Sequence, residues 1–232
     1  MNLLLTTAAL NVYEQMALDE AMVRARPTQI TLRFYNWVPG PAVTFGYAQF
    51  LHQVHQSVTG VFSGAPLCRR PTGGGVVYHQ DDLTFSVVFP TQEKPGEIYR
   101  NLHGSIQAAL TLSGLNSTIF AQKLPATAYA PSQHQQASTC FTNPVENDLL
   151  RNDGQKMLGG AIRRFGSTVL YQGSLQTTGA RENPAFKQAI TCAVRSFLNA
   201  DLSIERVADS LLQQARLLAQ NQYQTSAWTE KF

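Results

Sequence analysis

Apolar positions along this chain follow two periods, and they separate helices from strands. Asn11-Val12-Tyr13-Glu14 is a capping-box arrangement, with Asn11 as the cap and Glu14 reaching back. The spacing predicts a helix from there to about Arg24, ended by Pro27. Met16, Asp19, Glu20 and Val23 mix acids with apolar groups, which predicts one buried and one wet face. A second helix is predicted over 97–113, where Leu102, Ile106, Ala109 and Leu110 recur at helical spacing and Gly114 stands just past the end. Residues 184–199 and 203–220 predict two more. In the latter, Ile204, Val207, Ala208, Leu211, Leu212 and Ala215 form one apolar stripe. Residues 51–60 predict a short polar helix.

The alternation of Ile30, Leu32 and Phe34 with polar neighbours predicts a half-buried strand. Trp37, Pro39, Gly40 and Pro41 then form a turn cluster before a second strand over 42–46. The apolar runs 76–78 and 83–89 predict buried strands. Residues 146–151 and 155–158 flank Asn152-Asp153-Gly154, a hairpin signal, and 168–171 predicts another strand. Strands and helices without regular alternation imply an α+β fold. Between 122 and 139 the pattern lapses into glutamines, small residues, Pro125 and Pro131, which predicts a long mobile loop of the functional kind. No repeat or linker divides the chain, so one domain over 1–232 is expected.

Composition narrows the class. Of 232 residues, 44% are hydrophobic and 14% charged, which describes a chain with a substantial core rather than a disordered one. A net charge of +3 is too small to argue for nucleic acid, though it suits an acidic protein partner. Cys68, Cys140 and Cys192 make neither a disulfide framework nor a zinc pattern, and the five histidines lack metal-ligand spacing. The opening Met1-Asn2-Leu3-Leu4-Leu5 is brief and lacks a basic start, and no apolar run is long enough to span a membrane. A cytoplasmic location is the default.

The chemistry concentrates in two stretches. Arg69-Arg70-Pro71-Thr72-Gly73-Gly74-Gly75-Val76-Val77-Tyr78-His79 sets a basic pair before three glycines. Glycines let a backbone turn through positive φ and let a ligand lie on the peptide plane. Arg69 and Arg70 at the mouth of such a loop suit a phosphate or carboxylate. The spacing fits neither the dinucleotide nor the P-loop fingerprint. His79 either orients a ligand or makes a structural hydrogen bond. In the second stretch, Lys156 follows the hairpin turn and precedes Gly159-Gly160-Ala161. An ammonium held there can polarise a carbonyl. Asn147 and Asp148 either bind a base or ribose or shape the turn. Cys140, near that lysine, is a candidate nucleophile. Cys192 is expected to pack inside its helix, and Cys68 to pack or to be activated by Arg69.

Jointly these residues carry a resemblance. Arg-Arg-x-Thr-Gly-Gly-Gly-x-Val-x-His over 69–79 and Asp-Asp-Leu-Thr-Phe-Ser-Val over 81–87 resemble the biotin/lipoate protein ligase catalytic domain, on its lipoate ligase and octanoyltransferase side. Met16-Ala17-Leu18-Asp19-Glu20-Ala21 resembles that family's first helix, and Leu-Arg-Phe-Tyr-x-Trp over 32–37 one of its strands. Gly154-Gln155-Lys156-Met157-Leu158-Gly159-Gly160-Ala161 resembles its lysine motif. Ile162 stands where glutamine is common. The resemblance implies a mixed, mostly antiparallel sheet flanked by helices, of the class II synthetase-like kind. It implies an acyl tunnel over Gly73, Gly74 and Gly75, substrate contacts from Arg70, Thr72, His79, Gly160 and Ala161, and Lys156 on the acyl carbonyl.

The resemblance divides on the reaction. Cys140-Phe141, sixteen residues before Lys156, resembles the Cys-Phe of octanoyltransferases that carry the acyl group as a cysteine thioester. Octanoyl-acyl carrier protein would then be the donor. Asn147-Asp148 and the triple glycine resemble the ATP-dependent lipoate–protein ligases, which use lipoate with ATP and Mg and form a lipoyl-adenylate. In either case the acceptor is a lysine on a lipoyl domain or the glycine-cleavage H protein; no cofactor is tightly bound and no residue is assigned to a metal, Mg entering only with ATP in the ligase reading. The chain ends soon after its last helices, leaving little room for the accessory C-terminal domain of many ATP-dependent ligases; a monomer is expected, and the charge and hydropathy point to no nucleic-acid or membrane partner. The transferase is the favoured alternative. A non-catalytic sensor that has kept the acyl or adenylate pocket is the third.

Overall fold

The computed structural model describes residues 2–25, 28–122, 141 and 144–232. In chain order the strands are β1 (Asn2–Thr6), β2 (Thr31–Phe34), β3 (Ala42–Phe45), β4 (Leu67–Arg69), β5 (Val76–His79), β6 (Leu83–Pro90), β7 (Thr118–Ile119), β8 (Leu149–Leu150), β9 (Lys156–Phe165), β10 (Thr168–Leu175) and β11 (Leu202–Arg206). The helices are α1 (Val12–Ala25), α2 (Leu51–Ser57), α3 (Pro95–Leu112), α4 (Pro184–Leu198), α5 (Asp209–Leu218) and α6 (Ser226–Thr229). Among the described residues there are two sheets. The large one runs β11-β1-β2-β6-β10-β9-β8-β7, and the small one β4-β3-β5. The large sheet is antiparallel except where β1 pairs in parallel with β11 and with β2. This is the mixed, mostly antiparallel α+β architecture that the sequence implied.

Alternation along the central strands divides the core between two faces. Phe85, Val87 and Phe89 of β6 face α3 and α4, packing with Leu102, Ile106, Ile190 and Val194. Val88 faces the other way, toward Leu18, Met22 and Leu212 of α1 and α5. A strand buried on both sides reads as one apolar run, which is why 83–89 shows little alternation. The small sheet closes its own cluster with Val43, Phe45, Val54 and Val76.

Local signals hold at α1 and α3. The Asn11 side chain accepts from the amides of Tyr13 and Glu14, and Glu14 accepts from the Asn11 amide. Three expectations change. α1 has no wet face along its middle, because Asp19 and Glu20 are both buried. The predicted helix 203–220 begins only at Asp209. The preceding residues form β11, which hydrogen-bonds to the edge of β1 and leaves Ile204 73% exposed. The predicted strand 146–151 shrinks to β8, because Asn147 takes a left-handed φ of 73° in a turn. The loop predicted over 122–139 lies, except for Gln122, outside the described residues. Among those described, no helix is long and apolar enough to cross a membrane.

Candidate active site

The loop after β4 is laid across the end of β3. The Tyr47 amide donates to the Thr72 carbonyl at 2.8 Å, and the Gly46 amide to the Gly75 carbonyl at 3.2 Å. A Cβ on Gly46 would lie 1.8 Å from the Gly74 carbonyl oxygen, so the loop can rest there only because Gly46 has no side chain. Of the three loop glycines, only Gly74 takes a positive φ, 90°.

Arg69 and Arg70 do not stand at a mouth, as the sequence suggested. Both are buried. Arg69 donates to the carbonyls of Tyr47, Gln49, Trp228 and Thr229, tying the C-terminal segment to β4. Arg70 donates to the Gly73 carbonyl at 2.8 Å, the Gly75 carbonyl at 2.9 Å and Thr44 Oγ1 at 2.9 Å, so its guanidinium holds the glycine loop from inside. Thr72 is also turned inward. Its hydroxyl donates to Gln172 Oε1 at 2.6 Å, and Gln172 Nε2 donates to Asp19 Oδ2 at 2.7 Å.

His79 stacks on Trp37 and is engaged at both nitrogens. The Asp82 carboxylate can only accept, so Nδ1–H donates to it at 2.9 Å, and Nε2 lies 2.8 Å from the Thr44 hydroxyl oxygen. Burial alone would raise the Asp82 carboxyl. His79, with the hydroxyls of Ser174 and Thr84, outweighs burial and holds it below its ordinary value.

Between the small sheet and strands β9 and β10 lies a small open crevice. Arg70, Val77, His79, Phe141, Gly159, Gly160, Ala161 and Gln172 are among its lining residues. Lys156 opens β9 and folds back beside the crevice. A Cβ on Gly159 would sit 2.2 Å from Lys156 Cε, so that glycine provides the space the lysine occupies. On the opposite face a Cβ on Gly160 would sit 2.3 Å from Tyr171 Oη. Ile162, on the same side as Gly160, packs against the α3/α4 core.

Lys156 Nζ lies 2.7 Å from Asp148 Oδ2, with both side chains buried, and 5.2 Å from the centre of the Phe141 ring. Asp148 Oδ2 also accepts from the Val145 amide at 2.6 Å. Burial pushes the Asp148 carboxyl up, against the pull of the Lys156 ammonium and that amide. Asp148 therefore meets the lysine that sequence reasoning had given a separate task. Asn147 enters through its backbone.

His103 was not foreseen. It lies on the buried side of α3, donates from Nδ1 to the Asn147 carbonyl at 2.7 Å, and accepts at Nε2 from Tyr171 Oη at 2.8 Å. A carbonyl only accepts, so the neutral ring carries its proton on Nδ1. It stands three residues before Ile106 and seven before Leu110, so helical spacing places it in their stripe. Burial lowers its pKa to about 4, with the Asn147 bond opposing and the Lys156 charge adding to the shift. The unfolded chain, titrating near 6.5, takes up a proton as pH falls while the folded chain refuses it. Stability from this group is full above about 6.5 and is lost toward 4. Between about pH 7 and pH 4 the wild type should lose about 3 kcal/mol more than His103→Asn in urea unfolding. Equal losses would place the His103 pKa near its ordinary value.

Burial pushes the Cys68 thiol well up, so it packs rather than reacts. Cys192 is exposed on α4, contrary to the packing expected of it. Cys140 lies outside the described residues. Among those described, no group of three His, Cys, Asp or Glu is placed to hold a metal ion.

Comparison with known proteins gives a fold and a family. The octanoyltransferase LipM of Moorella thermoacetica is 32% identical over 179 residues, covering 75% of this chain and 64% of its own length. The chain thus spans a little under two thirds of that relative. The fold superposes on lipoate-protein ligase A bound with ATP at a TM-score of 0.74, with 21% identity over 99% of this chain and 98% of the other. It superposes on the bipartite lipoate protein ligase of Thermoplasma acidophilum, studied with its E2 lipoyl domain, at a TM-score of 0.71, with 21% identity over 99% and 95%. At such identities the structures speak for the fold alone. Residues 11–216 match the lipoyl protein ligase A/B catalytic domain, a span that takes in the glycine loop, the crevice and the Lys156–Asp148 pair, and the chain belongs to that family.

Proposed function

We propose that this chain moves an octanoyl group, through a thioester on Cys140, onto a lysine of a lipoyl domain or of the glycine-cleavage H protein. The observation that carries it is the buried Lys156 ammonium beside the crevice, 5.2 Å from the ring of Phe141, the residue that follows Cys140. The likeness to an octanoyltransferase supports the acyl group, and the lipoyl domain studied with the archaeal ligase supports the acceptor.

The Cys140 thiolate attacks the thioester carbonyl of octanoyl-acyl carrier protein. A new C–S bond forms, the donor C–S bond breaks, and the carrier thiol leaves and takes up a proton. The acceptor lysine then attacks as the neutral amine. The amide forms, Cys140 departs as thiolate, and the surplus amine proton passes to it or to water. Each attack places negative charge on the carbonyl oxygen, which the Lys156 ammonium stabilises.

Incubation with octanoyl-acyl carrier protein without ATP, followed by intact-mass spectrometry, tests this. The wild type should gain a hydroxylamine-labile octanoyl adduct that passes to a lipoyl domain, and Cys140→Ser should not. ATP-dependent lipoylation that survives Cys140→Ser, with no adduct on the wild type, would make this a lipoate–protein ligase instead.

A further inference from the structure

We infer that His103, outside every motif of the site, is a positioning residue that holds the Asp148–Lys156 pair by anchoring the turn that carries Asp148. The turn 145–148 is short and takes a left-handed φ of 73° at Asn147, a conformation open mainly to glycine, asparagine and aspartate. It needs anchors. Two are backbone bonds to the end of β7, from the Asn147 amide to the Phe120 carbonyl and from the Phe120 amide to the Asp148 carbonyl, each 2.8 Å. Two are internal, from the Val145 amide to Asp148 Oδ2 and from the Asp148 amide to the Val145 carbonyl at 2.9 Å. Another comes from the opposite layer, where His103 Nδ1 donates to the Asn147 carbonyl at 2.7 Å.

The anchor is itself fixed. His103 Nε2 accepts from Tyr171 Oη, and the Tyr171 ring lies where a side chain on Gly160 would otherwise stand. The imidazole is thereby oriented from β10 and directed at the turn from α3. Asp148 then meets Lys156, which is pressed against Gly159. A neutral imidazole suits this place, because a second cation beside Lys156 would compete for the same carboxylate. Gly159 and Gly160 thus serve one arrangement from opposite faces of β9, and His103 connects the far side to the near side.

This role for Lys156 rests on the octanoyl-transfer reading, so the test includes a readout that needs no turnover. His103→Asn places an amide N–H near the Nδ1 position and keeps the donor to Asn147. His103→Gln places its amide near the Nε2 position, reaching Tyr171 instead. If His103→Gln does not fold, His103→Leu takes its place in the comparison. Lys156 labelling by an amine-reactive acetyl ester, mapped by peptide mass, reports how well the pair shields the ammonium.

His103→Gln should raise Lys156 labelling and lower kcat for octanoyl transfer by about tenfold to a hundredfold, with KM for the lipoyl domain little changed. His103→Asn should stay close to the wild type in both. Equal labelling in the two variants, or a kcat loss without a change in labelling, would overturn the inference. A wild type that transfers nothing, while labelling still separates the variants, would remove the octanoyl-transfer reading and leave the positioning role standing.

Discussion

Lys156→Met is expected to slow octanoyl transfer by roughly a hundredfold to a thousandfold, the range for removing a group that stabilises a developing oxyanion. Methionine retains most of the stem that lies over Gly159 and removes the charge. The variant should remain folded, because Asp148 is already pushed up by burial and can become neutral when its partner is gone. Lys156→Arg should not restore activity. The guanidinium is broader than an ammonium, and the lysine is confined between Gly159 and Asp148, with its side chain only 2% exposed. Single-turnover transfer from octanoyl-acyl carrier protein to a lipoyl domain, with Tm recorded alongside, measures this. A folded Lys156→Met that transfers at the wild-type rate would take Lys156 out of the chemistry, and the crevice would need another source of positive charge.

What sequence pattern could and could not supply follows from how far apart the cooperating residues lie. The cap at Asn11, the stripe of α3 and the turn at 152–154 are built from neighbours in sequence, and each appears where local spacing put it. β11 is different. Leu202 pairs with Asn2 across almost the whole chain, so nothing local distinguishes the residues after 202 from the start of the helix that follows. The same limit applies to polar groups in the core. Asp19 on α1 looked solvated because its partner Arg33 is on β2, and Gly46 looked ordinary because the loop that rests on it comes almost thirty residues later. In the site, Lys156 and the glycine loop were legible as motifs. The Asp148 pairing, the inward turn of Arg70 and Thr72, and the His103 anchor were not, because each joins side chains from separate elements.

Arg33→Met should destabilise the protein by about 3–5 kcal/mol, the usual consequence of leaving a buried charge without its partner. Asp19 and Arg33 side chains are both fully buried, and Arg33 also donates to the Gln15 carbonyl at 3.0 Å and lies 4.1 Å from the centre of the Tyr35 ring. Many buried ion pairs can be replaced by apolar residues at little loss, and by that rule the double variant Arg33→Met/Asp19→Leu would recover. Here it should not. Asp19 also accepts from Ser86 Oγ at 2.7 Å, Gln172 Nε2 at 2.7 Å and the Tyr35 hydroxyl. Removing the carboxylate strands the Ser86 and Tyr35 hydroxyls and leaves Gln172 Nε2 its 2.9 Å bond to Tyr35 Oη, and a buried orphan costs about 1–3 kcal/mol. Gln172 is the donor with a functional consequence. Its other amide atom accepts from Thr72, so the pair on α1 and β2 reaches the glycine loop through one side chain. Urea unfolding of the wild type, both single variants and the double variant closes the cycle. A double variant as stable as the wild type would show that the other donors to Asp19 contribute nothing. A double variant no more stable than Arg33→Met would show that this carboxylate is kept for the other donors it holds, the Gln172 that supports the glycine loop among them, as much as for the arginine it pairs.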